Sequence, residues 1–413
     1  MPTTAPPPIP AGPAPPASVP SGPGQLTGAL GAALRRAAPA LFGYLAVRLL
    51  GALVLMKWAH LKQHGLWPLL ASHWDSRWYL GIADHGYAQT LDERLFNENN
   101  LAFFPLYPVI VKAVAGVTPG SRASIGLVVA VVCSLTAAWG VFAVGDRLHG
   151  RRVGTVLAVL WGATPVAVVQ WMGYTESLFT ALVAWSLHSV LTGRWIGAGA
   201  LALLAGLTRP TGLAVAAAVS VTALVALWRL WRPPADRAEG RPEPRAGAPR
   251  LLLAALLAPL GWLGYVGWVG LRLHRADGYF AVQRMWHNEW DGGIGTLRTL
   301  RSILGYQPRP QLFFVVVSLV LIASVVLYLL CVAGRQPLPL LVFSSVLLAI
   351  VLGSGGVYFP RARFLLPGFP LLLPAAVAIA RARRRSVVLV LGGSALVSAY
   401  LGAYMILVYG GAP

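Results

Sequence analysis

Long apolar stretches alternate with short polar connections along almost the whole chain. About eleven of these stretches approach the length that a helix needs to cross a membrane. They cover residues 40–60, 122–146, 153–170, 176–192, 195–208, 210–231, 250–272, 312–333, 337–353, 364–380 and 386–409. The pattern predicts an all-α polytopic membrane protein with about eleven transmembrane helices.

Composition supports the membrane assignment. The 413 residues are 57% hydrophobic and only 11% charged, whereas soluble domains contain roughly 25% charged residues. The net charge of +20 does not indicate a nucleic-acid-binding protein, because the arginines form short clusters between apolar stretches. Such clusters mark cytoplasmic loops in membrane proteins. The Arg, Ala and Gly bias indicates a GC-rich bacterial genome.

The chain is expected to contain one folded domain behind a tail. Residues 1–34 are rich in Pro, Ala and Gly, and they are predicted to form a disordered cytoplasmic tail. Residues 35–410 are predicted to form the transmembrane domain. The cytoplasmic side of this domain would carry the Arg-rich loop 232–250.

The stretch 101–118 decides the orientation of the later helices. If it does not cross the membrane, the arginine clusters share the cytoplasmic side with the N-terminus; if it crosses, the later clusters face outward. We therefore predict that it lies on the outer surface or re-enters the membrane, because its two prolines also disfavour a regular span. Residues 61–121, with juxtamembrane helices, and 273–311 then form outer loops.

Two acidic residues stand out on this outer face. Asp75, in the stretch His73–Tyr79, is a candidate general base or metal ligand beside aromatic rings. The alternative is a capping box, in which Ser72 and Asp75 only stabilise a helix start. Glu176 either begins a helix, where the dipole favours an acid, or positions a sugar hydroxyl or shares a cation with Asp75.

Arginines and aromatic residues accompany these acids on the predicted outer side. Arg209, Arg361 and Arg363 would bind a lipid phosphate, since guanidinium groups grip phosphate with two hydrogen bonds, or they snorkel to the interface. The loop 273–311 contains Trp286 among amide and acidic residues, which suits sugar stacking or a plain interfacial belt.

Several familiar motifs are absent from the sequence. It contains no Walker loop, no Gly-rich dinucleotide turn, no nucleophile elbow and no Cys/His zinc pattern. A nucleotide-activated substrate is therefore not indicated, and a lipid-borne activated group is the natural alternative. No metal site has recognised ligand spacing, and a divalent cation stays open as a cofactor.

Four motifs in order resemble one known family. They are Trp74-Asp75-Ser76-x-Trp78-Tyr79, Ala102-Phe103-Phe104-Pro105-Leu106-Tyr107-Pro108, Tyr174-Thr175-Glu176-Ser177 and Arg209-x-Thr211-Gly212. Over roughly residues 40–380 they resemble the phosphatidylinositol-glycan class V mannosyltransferases. The resemblance implies the GT-C glycosyltransferase superfamily, whose members use a polyprenyl-phosphate sugar, usually mannose. By position, Asp75 matches the catalytic aspartate of the family and Glu176 its second acidic motif.

The resulting hypothesis is an inverting mannosyltransferase that faces outward from a bacterial plasma membrane. Its donor would be polyprenyl-phosphate-mannose, and its acceptor a lipid or a glycan. Asp75 and Glu176 would be catalytic, and the lipid phosphate would meet Arg77, Arg209, Arg361 and Arg363. Sugar or acceptor binding is assigned to Trp74, Trp78, Tyr79, Tyr107, Tyr174 and Trp286. The alternatives are a transporter or flippase for a lipid-linked glycan, and an inactive accessory subunit.

Overall fold

The computed structural model describes residues 23–91, 99–231 and 247–411. In these ranges the chain is helical, and no β-strand is present beyond one isolated bridge between Trp290 and Ser354. The prediction of an all-α protein is confirmed.

Seventeen α-helices follow one another in the described ranges. They are α1 (Pro23–Leu61), α2 (Leu66–Ala71), α3 (Asp75–His85), α4 (Leu106–Ala115), α5 (Arg122–His149), α6 (Arg151–Gly162), α7 (Glu176–Leu191), α8 (Trp195–Gly206), α9 (Gly212–Trp231), α10 (Ala248–Arg272), α11 (Gly278–Met285), α12 (Ile294–Arg301), α13 (Leu312–Ala333), α14 (Leu338–Gly353), α15 (Arg361–Phe364), α16 (Leu373–Arg381) and α17 (Arg384–Tyr404).

Six of these helices are long and apolar enough to cross a membrane, namely α1, α5, α9, α10, α13 and α17 with the π-helical turn that follows it. The shorter apolar helices include α4, α7, α8, α14 and the segment Phe369–Arg381. The protein is therefore a multi-pass membrane protein, and all the apolar stretches predicted to cross coincide at least in part with helices.

The N-terminal boundary was predicted wrongly. Helix α1 begins at Pro23, inside the segment 1–34 that the sequence predicts to be disordered. Proline fits the first turn of a helix, and the Ala- and Leu-rich residues after it are good helix formers. Residues 1–22 lie outside the described residues, as does most of the Arg-rich loop 232–250, of which the structure describes only the end, where α10 begins.

Two predicted spans are broken in the structure. The stretch 153–170 ends as a regular helix at Gly162 and continues as a 3-10 turn over Ala167–Trp171, with Pro165 at the break. The stretch 364–380 is likewise divided by Pro367 and a 3-10 turn, since proline lacks the N–H that a continuous helix needs. Both breaks leave backbone carbonyls free for side chains.

Those carbonyls tie the two breaks to neighbouring elements. The indole of Trp161 donates to the carbonyl of Leu366 at 2.9 Å, and the Ser177 hydroxyl donates to the carbonyl of Gln170 at 2.7 Å. Buried backbone oxygens must find a donor, so these bonds fix the segments that carry residues 176 and 363.

The stretch 101–118 does not form a long helix. It contains the helix α4, whose ten residues span about 15 Å, half of a hydrocarbon layer about 30 Å thick. The 3-10 turn Asn100–Ala102 and the following Phe103 are held by the hydroxyl of Tyr265, which donates to the carbonyls of Leu101 and Phe103. This length agrees with a segment that stays at the surface or re-enters.

Close contact between α8 and α10 sets the position of the turn that follows α8. A Cβ placed on Gly206 would lie 2.7 Å from the backbone nitrogen of Trp262, and one placed on Gly261 would overlap the carbonyl of Leu203. Only glycine permits backbones to approach this closely. This contact therefore fixes the position of the C-terminal end of α8, from which the turn that carries Arg209 begins.

Candidate active site

Two acids and two arginines meet at one end of the helix bundle. Arg363 Nη2 lies 2.7 Å from Asp75 Oδ2, and Arg363 Nε lies 3.1 Å from Glu176 Oε1. Arg209 Nη1 lies 2.5 Å from the same Glu176 oxygen. We call these four residues the ion quartet. They were all candidates from the sequence, and the structure brings them together from four separate parts of the chain.

The backbone before α3 directs Asp75 towards the quartet. Trp74 has a φ of 49° and a ψ of −117°, a positive-φ conformation that is rare for a bulky residue and that clusters at functional sites. The amide of Asp75 donates to the hydroxyl of Tyr174 at 3.3 Å. The Asp75 side chain stays 21% exposed, so a substrate can reach it.

The capping box predicted for this turn does not form. The hydroxyl of Ser72 donates to the carbonyl of Pro68 at 3.2 Å, and no side-chain cap bonds the start of α3. Ser72 ends α2 instead of capping α3, so its side chain faces the preceding turn. Asp75 does stand in the first turn of α3, where the helix dipole favours a negative charge.

Glu176 is the first residue of α7 and is almost fully buried. The loop before it packs tightly, because a Cβ on Gly173 would lie 3.0 Å from the carbonyl of Ala71 and 3.1 Å from Ser76 Oγ. A larger residue there would push the loop away from α2 and α3. Glycine at 173 therefore lets Glu176 approach the Asp75 side of the site.

Aromatic rings hold the two guanidinium groups. Phe364 contacts both, with its ring centre 5.2 Å from the guanidinium carbon of Arg209 and 5.4 Å from that of Arg363, and the Tyr174 ring lies 5.1 Å from Arg363. Arg209 also donates to Thr175 Oγ1 at 3.1 Å. Rings at these distances stabilise buried cations.

Burial and neighbouring charges act in opposite directions on Arg363. Burial would lower the pKa of Arg363, but the carboxylates of Asp75 and Glu176 together raise it above its ordinary value. Arg363 therefore stays protonated. Burial also raises the pKa of Tyr174 well above its usual range, so its hydroxyl keeps its proton beside the quartet.

The quartet carries no net charge, yet it leaves several polar atoms unsatisfied. In the described part of the chain, the buried atoms Glu176 Oε2, Arg363 Nη1, Ser76 Oγ and Thr211 Oγ1 have no hydrogen-bond partner. Buried polar atoms in native proteins are nearly always paired. Several unpaired atoms in and beside one ion cluster indicate a site built to receive a polar ligand.

An aromatic cluster packs around Trp78 of α3, one turn after Asp75. The Trp78 ring stacks on Phe103 with centres 5.6 Å apart, and Trp286 meets both rings edge-on at 5.4 and 5.5 Å. The indole of Trp286 donates to the carbonyl of Asn99 at 3.0 Å. The structure thus brings together Trp78 and Trp286, which the sequence predicted to bind sugar or acceptor.

All three of the predicted sugar-binding tyrosines, Tyr79, Tyr107 and Tyr174, are buried core residues instead. The hydroxyl of Tyr107 donates to the carbonyl of Gly126 at 2.8 Å, and its ring is buried against Tyr79. Tyr79 is buried as well and shares a hydrogen bond of 3.1 Å with Thr175 Oγ1. Burial raises the pKa of Tyr79, so the hydroxyl stays neutral and supports the residue that Arg209 also contacts.

Arg361 lies away from the quartet, although it is only two residues from Arg363. Its guanidinium donates to Thr296 Oγ1 and, at 2.5 Å, to the carbonyl of Ser354, and it faces the ring of Tyr358. These bonds join α12 to the segment before α15. Arg361 therefore has a structural role, and Arg363 is the arginine of this pair that meets the acids.

Two other predicted residues lie at the edge of the site. Arg77 is exposed, and its Nε donates to the carbonyl of Ser72 at 3.3 Å, so its head group does not join the buried ions. The ring of Trp74 packs on His73 at 4.2 Å and is partly exposed. Trp74 can still contact a ligand that reaches Asp75, since the two residues are adjacent.

Sequence reasoning missed three contributors, namely Phe364, Thr175 and Phe103. Each stands next to a residue or inside a motif that was noticed, but aromatic and hydroxyl residues are common beside membrane spans and carry no signal by themselves. The Arg-Phe pair at positions 363–364 could have indicated a cation–π contact.

The described residues contain no group of three or more His, Cys, Asp or Glu side chains that could hold a metal ion. Asp75 and Glu176 each have an arginine counterion within 3.1 Å. The donor set therefore fits an anionic or hydroxyl-bearing ligand better than a divalent cation, because a cation would have to displace the guanidinium groups.

Comparison with known proteins gives a partial sequence match and a fold match. No protein-family model matches the sequence. GPI alpha-1,6-mannosyltransferase 2 of Rattus norvegicus is 30% identical over 153 residues, and that of Mus musculus is 29% identical over the same length. These matches cover 34% of this chain and 29% of each relative, so the chain matches less than a third of the relatives' length.

The fold is similar to that of a solved membrane enzyme structure. ArnT from Cupriavidus metallidurans, solved bound to undecaprenyl phosphate, superposes with a TM-score of 0.54 at 15% identity, covering 86% of this chain and 63% of that chain. At this identity the likeness shows a shared helical fold, in agreement with the predicted fold class. The sequence match to the GPI mannosyltransferases also confirms the predicted family resemblance, as a similarity over part of the chain.

Proposed function

We propose that the chain is a membrane glycosyltransferase that moves mannose from polyprenyl-phosphate-mannose to a hydroxyl of a lipid or glycan acceptor. The observation that carries the proposal is the ion quartet, which combines an accessible carboxylate with two buried guanidinium groups. The matched relatives named as mannosyltransferases support the sugar. The undecaprenyl phosphate bound to the ArnT structure supports a lipid phosphate as leaving group.

Asp75 is the general base of the proposed reaction. Its carboxylate takes the proton of the acceptor hydroxyl as the acceptor oxygen forms a bond to the anomeric carbon of the sugar. The bond from that carbon to the phosphate oxygen breaks, and its electron pair leaves with the polyprenyl phosphate. One displacement from the opposite side inverts the anomeric configuration.

Arg363 and Arg209 bind the phosphate in this proposal. Arg363 Nη1 is buried and unpaired, so it can donate to a phosphate oxygen without losing an existing hydrogen bond. Fixed donors aimed at developing negative charge lower a barrier by several kcal/mol, about 10²–10³ in rate for each donor. Glu176 holds both arginines in place, since its Oε1 contacts each of them.

The aromatic cluster of Trp78, Phe103 and Trp286 forms the acceptor side of the site. Aromatic faces suit the apolar faces of sugar rings, and Trp78 of this cluster lies on the same helix as Asp75. Trp74, directly before Asp75, extends this surface. An acceptor held there would present a hydroxyl to the exposed part of the carboxylate.

The proposed orientation follows from the arginine clusters. The N-terminus, the segment 232–250 and the arginines at positions 381–385 would lie on the cytoplasmic side. The quartet would then face outward from the plasma membrane, with residues 61–121 and 273–311 as outer loops. Transfer would occur on the outer leaflet.

A strain that lacks the gene, complemented by wild type or by Asp75→Asn, tests the function in cells. Mass spectrometry of its glycolipids and glycans should show one hexose missing in the deletion strain and in the variant, and restored by wild type. Restoration by Asp75→Asn would contradict the assignment of Asp75 as base. Loss of a whole lipid-linked glycan from the outer leaflet, without a missing hexose, would instead favour a flippase.

A further inference from the structure

An apolar groove opens on the side of the bundle between α12, α13 and α14. It has a volume of about 710 Å³ and is lined mainly by aliphatic side chains, among them Leu297, Leu300, Ile322, Val326, Leu348 and Ala349. Leu297, Ile322 and Val326 are exposed, so the groove is open towards the surrounding bilayer. The hydrogen bond of 2.5 Å between Tyr328 and Ser345 lies among its polar lining atoms.

A second cavity adjoins this groove through Leu297, which lines both. Its volume is about 450 Å³, and its other walls are Arg298, Arg301, Ser302 and Tyr306. The two arginines are three residues apart on α12, so they lie on one face of the helix. In contrast to the groove, four of the five residues that line this cavity have side-chain hydrogen-bond donors.

The two arginines carry positive charge that no acid of the described ranges pairs with. Within residues 23–91, 99–231 and 247–411, neither Arg298 nor Arg301 forms an ion pair with an acid. Tyr306 orients Arg301, because its hydroxyl accepts from Nε at 3.1 Å and from Nη2 at 2.5 Å. The tyrosine ring also lies 5.2 Å from the guanidinium carbon. A preoriented arginine is suited to bind a phosphate group.

We propose that these adjoining cavities bind one anionic phospholipid, with an acyl chain in the groove and the phosphate between Arg298 and Arg301. The groove faces the bilayer, which excludes a water-soluble occupant, and the charge at its end matches a lipid phosphate. This site is separate from the ion quartet and goes beyond the proposed transfer reaction.

The lipid would support the segment that leads to the quartet. Thr296 lines the groove, donates to the carbonyl of Leu352 at 2.6 Å and contacts Arg361. Arg361 stands two residues before Arg363 in α15. A lipid held against α12 therefore stabilises the hydrogen bonds that fix Arg361, and its removal should lower the thermal stability of the protein.

Native mass spectrometry of the purified full chain tests the proposal. Phosphatidylglycerol, diacylglycerol and inorganic phosphate are each added as probes. Wild type should retain one phosphatidylglycerol and neither of the other two. The double variant Arg298→Ala/Arg301→Ala should bind it about thirtyfold more weakly, equivalent to about 2 kcal/mol for two arginines near a lipid surface. Arg309→Ala, an exposed arginine outside both cavities, should bind like wild type.

A variant that fills the groove tests whether the acyl chain of the lipid binds there. Ala349 is exposed in the groove, so Ala349→Phe fills it without crowding the core and should abolish lipid retention. Val388→Phe, on the exposed face of α17, is its control. Unchanged retention in either test variant would overturn the proposal, as would equal binding of inorganic phosphate alone. A dimer that buries the groove, seen as doubled mass with no bound lipid, would also overturn it.

Discussion

Replacement of Asp75 by asparagine should strengthen the binding of polyprenyl phosphate while it stops transfer. Arg363 is held by Asp75 at 2.7 Å, and the quartet as a whole is neutral. A lipid phosphate can bind the unpaired Nη1 directly, but to fork onto both terminal nitrogens it must compete with Asp75 for Nη2. Asp75→Asn removes the competing charge and leaves Glu176 to hold Arg363.

The magnitude follows from the geometry of the pair. Two unit charges about 4 Å apart interact by about 4 kcal/mol at an effective dielectric constant of about 20. Asp75 is partly exposed and Glu176 remains, so we expect about a third of this energy to appear in binding. About 1.4 kcal/mol corresponds to a tenfold lower Kd.

The assay is titration of the detergent-solubilised protein with polyprenyl phosphate, followed by tryptophan fluorescence. Asp84→Asn is the matched control, because Asp84 stands in the same helix and pairs with Arg122 outside the quartet. Thermal unfolding checks that the variant is folded, since an unpaired buried charge can cost about 3–5 kcal/mol. Equal or weaker binding by a folded Asp75→Asn protein would refute the competition between phosphate and carboxylate.

The remaining predictions concern the rest of the site. Arg363→Lys should lower the transfer rate about 10²-fold, because one ammonium group cannot contact Asp75 and Glu176 and also bind a phosphate with two hydrogen bonds. An unchanged rate per folded molecule, even with less folded protein, would contradict this. Trp286→Ala should raise the KM for the acceptor up to about tenfold and leave polyprenyl phosphate binding unchanged, which steady-state kinetics separates. Addition of EDTA should leave transfer unchanged, because arginines already neutralise both carboxylates; a loss of activity restored by Mg²⁺ or Mn²⁺ would be the opposite result.

The helices could largely be predicted because the membrane imposes a simple rule on sequence. Apolar stretches of sufficient length become helices, and all the stretches expected here coincide at least in part with helices. The rule does not tell where such a helix breaks. The break at Pro165 can be predicted only if the helix-breaking effect of proline is considered, because the residues around it are as apolar as those of an unbroken span.

The quartet could be predicted because its members are charged residues beside membrane-length apolar segments, where charged side chains are energetically unfavourable. Asp75, Glu176 and Arg209 stand at span ends that the arginine clusters assign to one side, and the structure brings them together with Arg363. Sequence position alone could not show which of the two arginines, Arg361 or Arg363, contacts the acids. Their side chains leave the same short helix in different directions, one towards α12 and the other towards α3 and α7.

Side-chain direction also explains the other errors. Tyr107 was predicted to face a sugar, but its hydroxyl turns to a backbone carbonyl in the core. Ser72 was predicted to cap α3, but it bonds back into α2. In both cases residue type and spacing were suitable, and only the tertiary packing decided which partner was available.

Transfer by the purified protein tests the central claim most directly. Wild type, Asp75→Asn and Asp84→Asn are reconstituted in vesicles with radiolabelled polyprenyl-phosphate-mannose and a lipid extract as acceptor. We expect wild type and Asp84→Asn to form a labelled product of inverted anomeric configuration and to release polyprenyl phosphate, and Asp75→Asn to lose at least about 10²-fold in rate. Near-normal transfer by Asp75→Asn, or movement of the donor across the bilayer without covalent transfer, would contradict the account.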